Sequence, residues 1–245
     1  MPWERPYKTR YLMRYDIRVC KKEERDYPER FRDLKGMPER FYYCGNIKIL
    51  NEMSGVAVVG SRKCGQPVLE LAKATGRAAA DTGIVTVNGL ALGCDTEALN
   101  GALETGGKCV AVLAGGIDRV YPKSNEGLMQ RVIETGGCVI SEYSPESEPK
   151  KYTFVERDRL QSALARGVLV VAADKNSGTM HTVNAAIRQG RRLATYSKKL
   201  VDMTGNQHII DMGAREISGG KDLSDFFAEI LEEDSFRQMT LFDVV

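Results

Sequence analysis

Between residues 56 and 196 short apolar runs alternate with longer helical stretches, and this alternation restricts the possible folds more than any other feature. The apolar runs span 56–59, 84–87, 109–113, 138–141, 168–172 and 192–196. Helical composition fills 66–82, 95–105, 124–135 and 181–189, and Gly83, Gly106 and Gly136 follow the first three. Glycine just past a helix supplies the left-handed cap that ends it. Runs of four or five mostly β-branched residues suit strands buried on both faces. Strands regularly separated by helices require a parallel sheet, and right-handed crossovers lay those helices on both of its faces. The predicted fold is α/β: a Rossmann-like, doubly wound, mostly parallel sheet with helices on both faces.

Ligands in such folds bind beyond the carboxyl ends of the strands. Those ends here are Gly60-Ser61-Arg62, Asn88-Gly89, Gly115-Gly116, Ser141-Glu142 and 174–178. The first is the richest. Gly60 lets the backbone turn sharply and come close to a ligand, and Pro67 suits the first turn of the following helix. A strand, a glycine turn and a helix N-terminus together make an anion site, to which Arg62 adds a planar, permanently charged fork. Gly60 and Gly65 have P-loop spacing, but Gln66 and Pro67 stand where Lys and Ser/Thr belong, so a Walker ATPase is excluded. No Gly-x-Gly-x-x-Gly is present for a dinucleotide.

Three segments are expected: a polar extension over 1–50 that packs on the core, the Rossmann-like domain over 51–220, and a C-terminal helix and tail over 221–245. In the extension 27–31 reads as a short helix, Gly36-Met37-Pro38 as its break, and 41–45 as an edge strand or packed arm. Large aliphatics are too few there for a separate core. Charge is nearly balanced, with 35 basic and 33 acidic residues, so net charge does not point to nucleic acid. The six cysteines form no C-x-x-C pair and imply neither zinc nor a disulfide framework. No run reaches about 18 apolar residues. A soluble, cytoplasmic protein with no cofactor is expected.

Several motifs in one order then resemble the DNA-processing protein A family, also called Smf. They are Val-Ala-Val-Val-Gly-Ser-Arg (56–62), Asn-Gly-Leu-Ala-Leu-Gly-Cys-Asp (88–95), Gly-Ile-Asp-Arg-Val-Tyr-Pro (116–122) with Asn125, Ser141-Glu142-Tyr143, Ser177-Gly178-Thr179 and Gly190-Arg191. The resemblance runs from about residue 27 to about 232. The family's Phe-Pro-x-Arg-Asn-Arg stands here as Phe154-Val155-Glu156-Arg157-Asp158-Arg159, with Asp in place of Asn, and Leu99 stands where the family usually has His. Neither the helical domain often found ahead of the core nor the winged helix often found after it has a counterpart, so a minimal version is expected.

The resemblance implies single-stranded DNA binding coupled to loading of the RecA recombinase, in recombination or DNA uptake, usually by a homodimer. Single strands are held by cations that track phosphates and by aromatic rings that stack bases. On this reading Arg62, Lys150, Lys151, Arg157 and Arg159 supply the cations, Phe154 the ring, and Gly60, Ser61, Ser177, Gly178 and Thr179 the phosphate contacts. Without the resemblance, Phe154 suits a core position under a loop, and Arg157 and Arg159 a solvated helix start. The alternative function is a nucleotide-ligand sensor or a phosphoribohydrolase-related protein. Against the second, Lys-Asn-Ser-Gly-Thr-Met-His (175–181) carries no carboxylate after the Thr, and Glu142, the one strand-end carboxylate placed to act as a base, has no identifiable partner acid, so no enzymatic turnover is expected. Near the C-terminus Gln238-Met239-Thr240-Leu241-Phe242 resembles the bacterial sliding-clamp peptide, in which a Gln binds at the rim while Leu and Phe enter an apolar pocket.

Overall fold

The computed structural model describes residues 16–242, with the backbone alone over 233–242. Its strands are β1 (Arg18–Lys21), β2 (Arg40–Gly45), β3 (Gly55–Val59), β4 (Val85–Asn88), β5 (Cys109–Leu113), β6 (Cys138–Ser141), β7 (Gly167–Val170), β8 (Arg192–Tyr196) and β9 (Arg215–Ile217). Helices α1 (Glu29–Arg32), α2 (Ile49–Glu52), α3 (Gln66–Asp81), α4 (Cys94–Glu104), α5 (Glu126–Glu134), α6 (Lys151–Leu164), α7 (Thr179–Arg188), α8 (Thr204–Asp211) and α9 (Gly220–Phe242) connect or follow them.

One sheet contains every strand, in the order β1-β2-β6-β5-β4-β3-β7-β8-β9. From β3 the chain winds outward through β4, β5 and β6, then returns along α6 to β7 on the other side of β3. All pairings from β6 to β9 are parallel, while β1–β2 and β2–β6 are antiparallel. The reversal of direction falls between β3 and β7, the crevice where doubly wound sheets hold ligands.

Strand side chains alternate between the two faces. Val56 and Val58 pack with Ala72 and Ala79 of α3 and with Phe226, Phe227 and Ile230 of α9. Ala57 and Val59 turn the other way, toward Val183 and Ala186 of α7. Helices α3 and α4 touch backbone to backbone: a Cβ on Gly76 would lie 1.9 Å from Ala98 O, and one on Gly101 1.9 Å from Lys73 O.

Three local expectations change. The 41–45 segment is not an edge strand, because β1 pairs along its outer side through Arg18↔Tyr43 to Lys21↔Arg40. Among the described residues short, charged β1 takes the edge instead, as edge strands that resist further pairing do. Tyr27, Phe31 and Phe41 complete the core against β5 and α6. The solvated helix start at Arg157 and Arg159 is instead the middle of α6, with Arg157 buried; the buried positions of α6 include Thr153, Arg157, Gln161 and Ser162, which break its apolar periodicity and hide its extent. Finally, the C-terminal stretch expected as a helix followed by a tail is one helix, α9, as far as Phe242. Gln238, Leu241 and Phe242 lie on its last turns, and the side chains of this stretch are outside the described residues.

Candidate nucleic-acid interface

A cavity of about 450 Å³ opens beyond the carboxyl ends of β3, β4 and β7, at the point where the winding reverses. The loop after β3 forms one wall. Ser61 N donates to Ala172 O (2.8 Å), and Cys94 N donates to Ser61 O (3.2 Å), so the loop is tied to the segment just past β7 and to the start of α4. A Cβ on Gly60 would meet Cys94 Sγ at 2.7 Å, which is why glycine is required there. Ser61 Oγ donates to Lys63 O (2.8 Å) and accepts from Lys63 N (3.1 Å), closing a turn that leaves Arg62 exposed.

The Arg62 guanidinium lies 5.3 Å from the centre of the Phe154 ring, a cation–π contact. Phe154 meets Tyr121 edge to face at 5.6 Å. Tyr121 is 57% exposed, and Leu92 and Val155 are exposed nearby. An aromatic and guanidinium edge of this kind offers flat faces to bases and charge to phosphates.

Opposite this wall stands the N-terminus of α7, preceded by Ser177 and Gly178. Ser177 Oγ is buried without a hydrogen-bond partner among the described residues. Leaving a buried hydroxyl unpaired costs about 1–3 kcal/mol. A ligand oxygen would remove that cost, and the partial positive charge of a helix N-terminus favours an anionic one.

The floor is a network of buried polar groups. Arg157, 3% exposed, donates from Nη1 to Val112 O (2.8 Å) and from Nε to Asp158 Oδ1 (3.1 Å). Its guanidinium rests on Gly89, where a Cβ would fall 1.8 Å from Nη1. Asp95 Oδ2 accepts from Gly89 N (2.9 Å). Burial pushes the Asp95 carboxyl up to about 6, against the opposing pull of Arg157. Burial likewise raises Asp158, opposed first by Arg157. Asn88 accepts from Val58 N (3.2 Å) and donates to Asp95 O (3.1 Å), while Asn125 donates to Leu90 O (2.9 Å) and Thr96 Oγ1 (2.8 Å). Leu90 is held at φ +58°. The 88–95 motif, Asn125 and Arg157 therefore brace one another under the pocket.

The pocket brings together Gly60, Ser61, Arg62, Phe154, Arg157, Ser177, Gly178 and Thr179. Lys150, Lys151 and Arg159 do not line it. Arg159 Nη2 contacts both Glu142 oxygens (2.8 and 2.9 Å), which offsets the charge of the arginine and removes Glu142 as a free base. Lys150 Nζ lies over Tyr152, 5.9 Å from the ring centre. Two assigned groups have other work than phosphate contact: the Ser61 hydroxyl donates within its own loop, and Arg157 supports Gly89. Lys63, Asp95, Gln161, His181 and Thr182 also line the pocket and were not assigned to it from sequence. Asp95 and His181 stood inside or beside motifs already singled out, whereas Gln161 carried no local signal.

The fold and this site define a Rossmann-like α/β domain with an anion pocket rimmed by stacked aromatic and guanidinium groups. The family model for DNA recombination-mediator protein A matches residues 18–228, and the chain belongs to that family. It is 36% identical over 201 residues to the DNA processing protein DprA of Streptococcus pneumoniae, covering 80% of this chain and 70% of that one. The X-ray structure of S. pneumoniae DprA superposes with a TM-score of 0.77 at 32% identity, covering 85% of this chain and 74% of that one. The DprA of Helicobacter pylori, whose structure concerns its single-stranded DNA binding mode, superposes with a TM-score of 0.79 at 26% identity, covering 90% and 98%. Among the described residues no helix is long and apolar enough to cross a membrane.

Proposed function

We propose that this recombination mediator binds single-stranded DNA across the Arg62–Phe154–Tyr121 edge and hands it to the RecA recombinase. The observation that carries this reading is the exposed Arg62 guanidinium over Phe154, at the mouth of a pocket with an unpaired Ser177 hydroxyl. One or more bases stack on the Phe154 and Tyr121 rings while phosphates meet Arg62, Ser177 and the α7 N-terminus. The protein acts by binding rather than turnover. Glu142 is paired with Arg159, Asp158 with Arg157, and Asp95 accepts from Gly89 N, so each nearby carboxylate has a structural partner. It works as a homodimer in the cytoplasm, in recombination or DNA uptake. Its Gln238, Leu241 and Phe242 engage a sliding clamp.

The test is fluorescence anisotropy of a labelled single strand of about 30 nucleotides, across a salt series, with wild type and Arg62→Ala. Loss of one phosphate contact flattens the log–log salt slope by about 0.7. No binding at low salt refutes the reading. Adding RecA and following filament assembly on the strand tests delivery, sedimentation tests the dimer, and capture by purified clamp with Phe242→Ala as control tests the tail. A second reading, a small nucleotide as ligand, is favoured by the cavity's volume of about 450 Å³, which falls in the range of small-molecule sites. Displacement of the strand by a mononucleotide at micromolar concentration would establish it.

A further inference from the structure

We propose that Cys64 and Cys94 form a reversible disulfide that disables the Arg62 loop. Their sulfurs lie 3.9 Å apart, although the residues are thirty positions apart in sequence. Neither lines the pocket, and neither has a part in the binding reading above. Cys64 sits in the loop between β3 and α3 and is half-buried, so a small oxidant reaches it. Cys94 is the first residue of α4 and is fully buried. The other cysteines are buried in separate parts of the core, where Cys20 and Cys138 share one cluster and Cys44 and Cys109 another. No other thiol pair is found in contact among the described residues.

Both thiols are already joined to the phosphate-side loop. Cys64 Sγ lies 3.7 Å from Ser61 O, the same carbonyl that accepts from Cys94 N. Gly60 packs directly on Cys94 Sγ. Arg62 is therefore enclosed between two anchor points that the sulfurs would pull together. A disulfide requires the sulfurs to close to about 2.05 Å. Cys94 is fully buried in the first turn of α4 with Gly60 packed on its sulfur, whereas Cys64 is half-buried in the loop, so the loop has to move. That motion draws residues 61–64 toward α4 and takes the Arg62 guanidinium off the Phe154 ring.

With a peroxide as oxidant the chemistry balances in two steps. The Cys64 thiol gives up its proton and the thiolate attacks one peroxide oxygen; the O–O bond breaks, Cys64 becomes a sulfenic acid, and the departing hydroxide takes up that proton as the first water. The Cys94 sulfur then attacks the Cys64 sulfur, the S–O bond breaks, and the leaving hydroxide takes the Cys94 proton as the second water. Two electrons pass from the sulfurs to the peroxide, and a dithiol reductant returns them. Burial holds the Cys94 thiol well above its ordinary range, so the more accessible Cys64 is the initiating group.

The disulfide stands on its own geometry, while its effect on binding rests on the single-strand reading. The full chain is treated with hydrogen peroxide, blocked with an alkylating reagent and digested. The same sample, with and without dithiothreitol, is titrated against the labelled single strand, with Cys64→Ser as control. The expected result is a peptide cross-link between Cys64 and Cys94 that dithiothreitol removes. Oxidation weakens strand binding by about tenfold, the worth of one charge-assisted hydrogen bond; reduction restores it, and Cys64→Ser is unaffected. Recovery of both cysteines alkylated after peroxide overturns the disulfide. A complete cross-link with unchanged affinity overturns its coupling to the loop. If the reduced protein binds no strand at all, the binding reading fails while the cross-link is still decided by mass.

Discussion

Replacing Arg157 by Met separates the two roles open to this arginine, because Met keeps an unbranched apolar stem and removes the charged guanidinium that rests on Gly89. In the folded protein Arg157 bonds Val112 O and Asp158, with side chains only 4% and 14% exposed for the pair. Removing one partner of a buried ion pair costs about 3–5 kcal/mol. The partial exposure of Asp158 puts this case near the lower end, about 3 kcal/mol. For a chain of this size that lowers the melting temperature by roughly 10 °C. The deficit depends on pH. Burial already raises the Asp158 and Asp95 carboxyls, and Arg157 is the first group that opposes the rise. Without it both rise further. A carboxyl raised in the folded state binds protons more tightly there than in the unfolded chain, so the deficit is largest above its folded pKa and shrinks on acidification. Urea unfolding at pH 8 and pH 5 should show the larger loss at pH 8. Arg157→Met with Asp158→Asn should recover about half of it, by removing the stranded charge. A loss below about 1 kcal/mol at pH 8, or an equal loss at both pH values, would refute the structural role of Arg157 and return it to the DNA-contact set.

Phe154→Ala should weaken single-strand binding by roughly 5- to 150-fold, the worth of about 1–3 kcal/mol of base stacking, while the salt slope stays unchanged. An altered slope in the anisotropy series would show that the ring acts through Arg62 instead. Gly101→Ala forces a methyl into Lys73 O across the α3–α4 contact. It should cost about 1–3 kcal/mol of overpacking, measured by urea midpoint, and an unshifted midpoint would mean that the helices slide apart freely. Asp95, raised from its ordinary 3.8 to about 6 by burial, favours the folded state at low pH. That contribution is lost as pH rises from about 4 to about 6. Asp95→Asn keeps an acceptor for Gly89 N and should flatten this limb of the pH–stability curve, by at most about 3 kcal/mol; an unchanged curve would place the titration elsewhere.

Much of this architecture is written locally. The β-branched runs, the glycine-terminated helices and Pro67 at the start of α3 are signals that span a few residues, and they yielded a doubly wound sheet with Gly60–Arg62 at its ligand edge. The motifs at 88–95 and 177–179 marked stretches that line the pocket, and the motif at 116–125 supplies Tyr121 against Phe154 and Asn125 beneath Leu90. What stayed illegible has a common cause. Helix α6 turns polar residues inward, so no apolar stripe announces it. The aromatics of the N-terminal segment fill the core because β2 inserts between β1 and β6, a pairing across about a hundred residues.

Sequence alone determined which residue types stand at the strand ends and in what order, since each strand, cap and turn follows from its immediate neighbours. Only the tertiary structure decided their work. Arg62 is exposed over Phe154. Arg157 is spent on Val112 and Asp158, and Arg159 on Glu142. Cys64 meets Cys94. These outcomes depend on β7 settling beside β3, rather than beyond β6, and on the register that carries α6 across the sheet. The contacts of Arg62 with Phe154, Arg157 with Val112 and Cys64 with Cys94 join residues thirty to about ninety positions apart; strand order and burial fix them, and no local pattern encodes either.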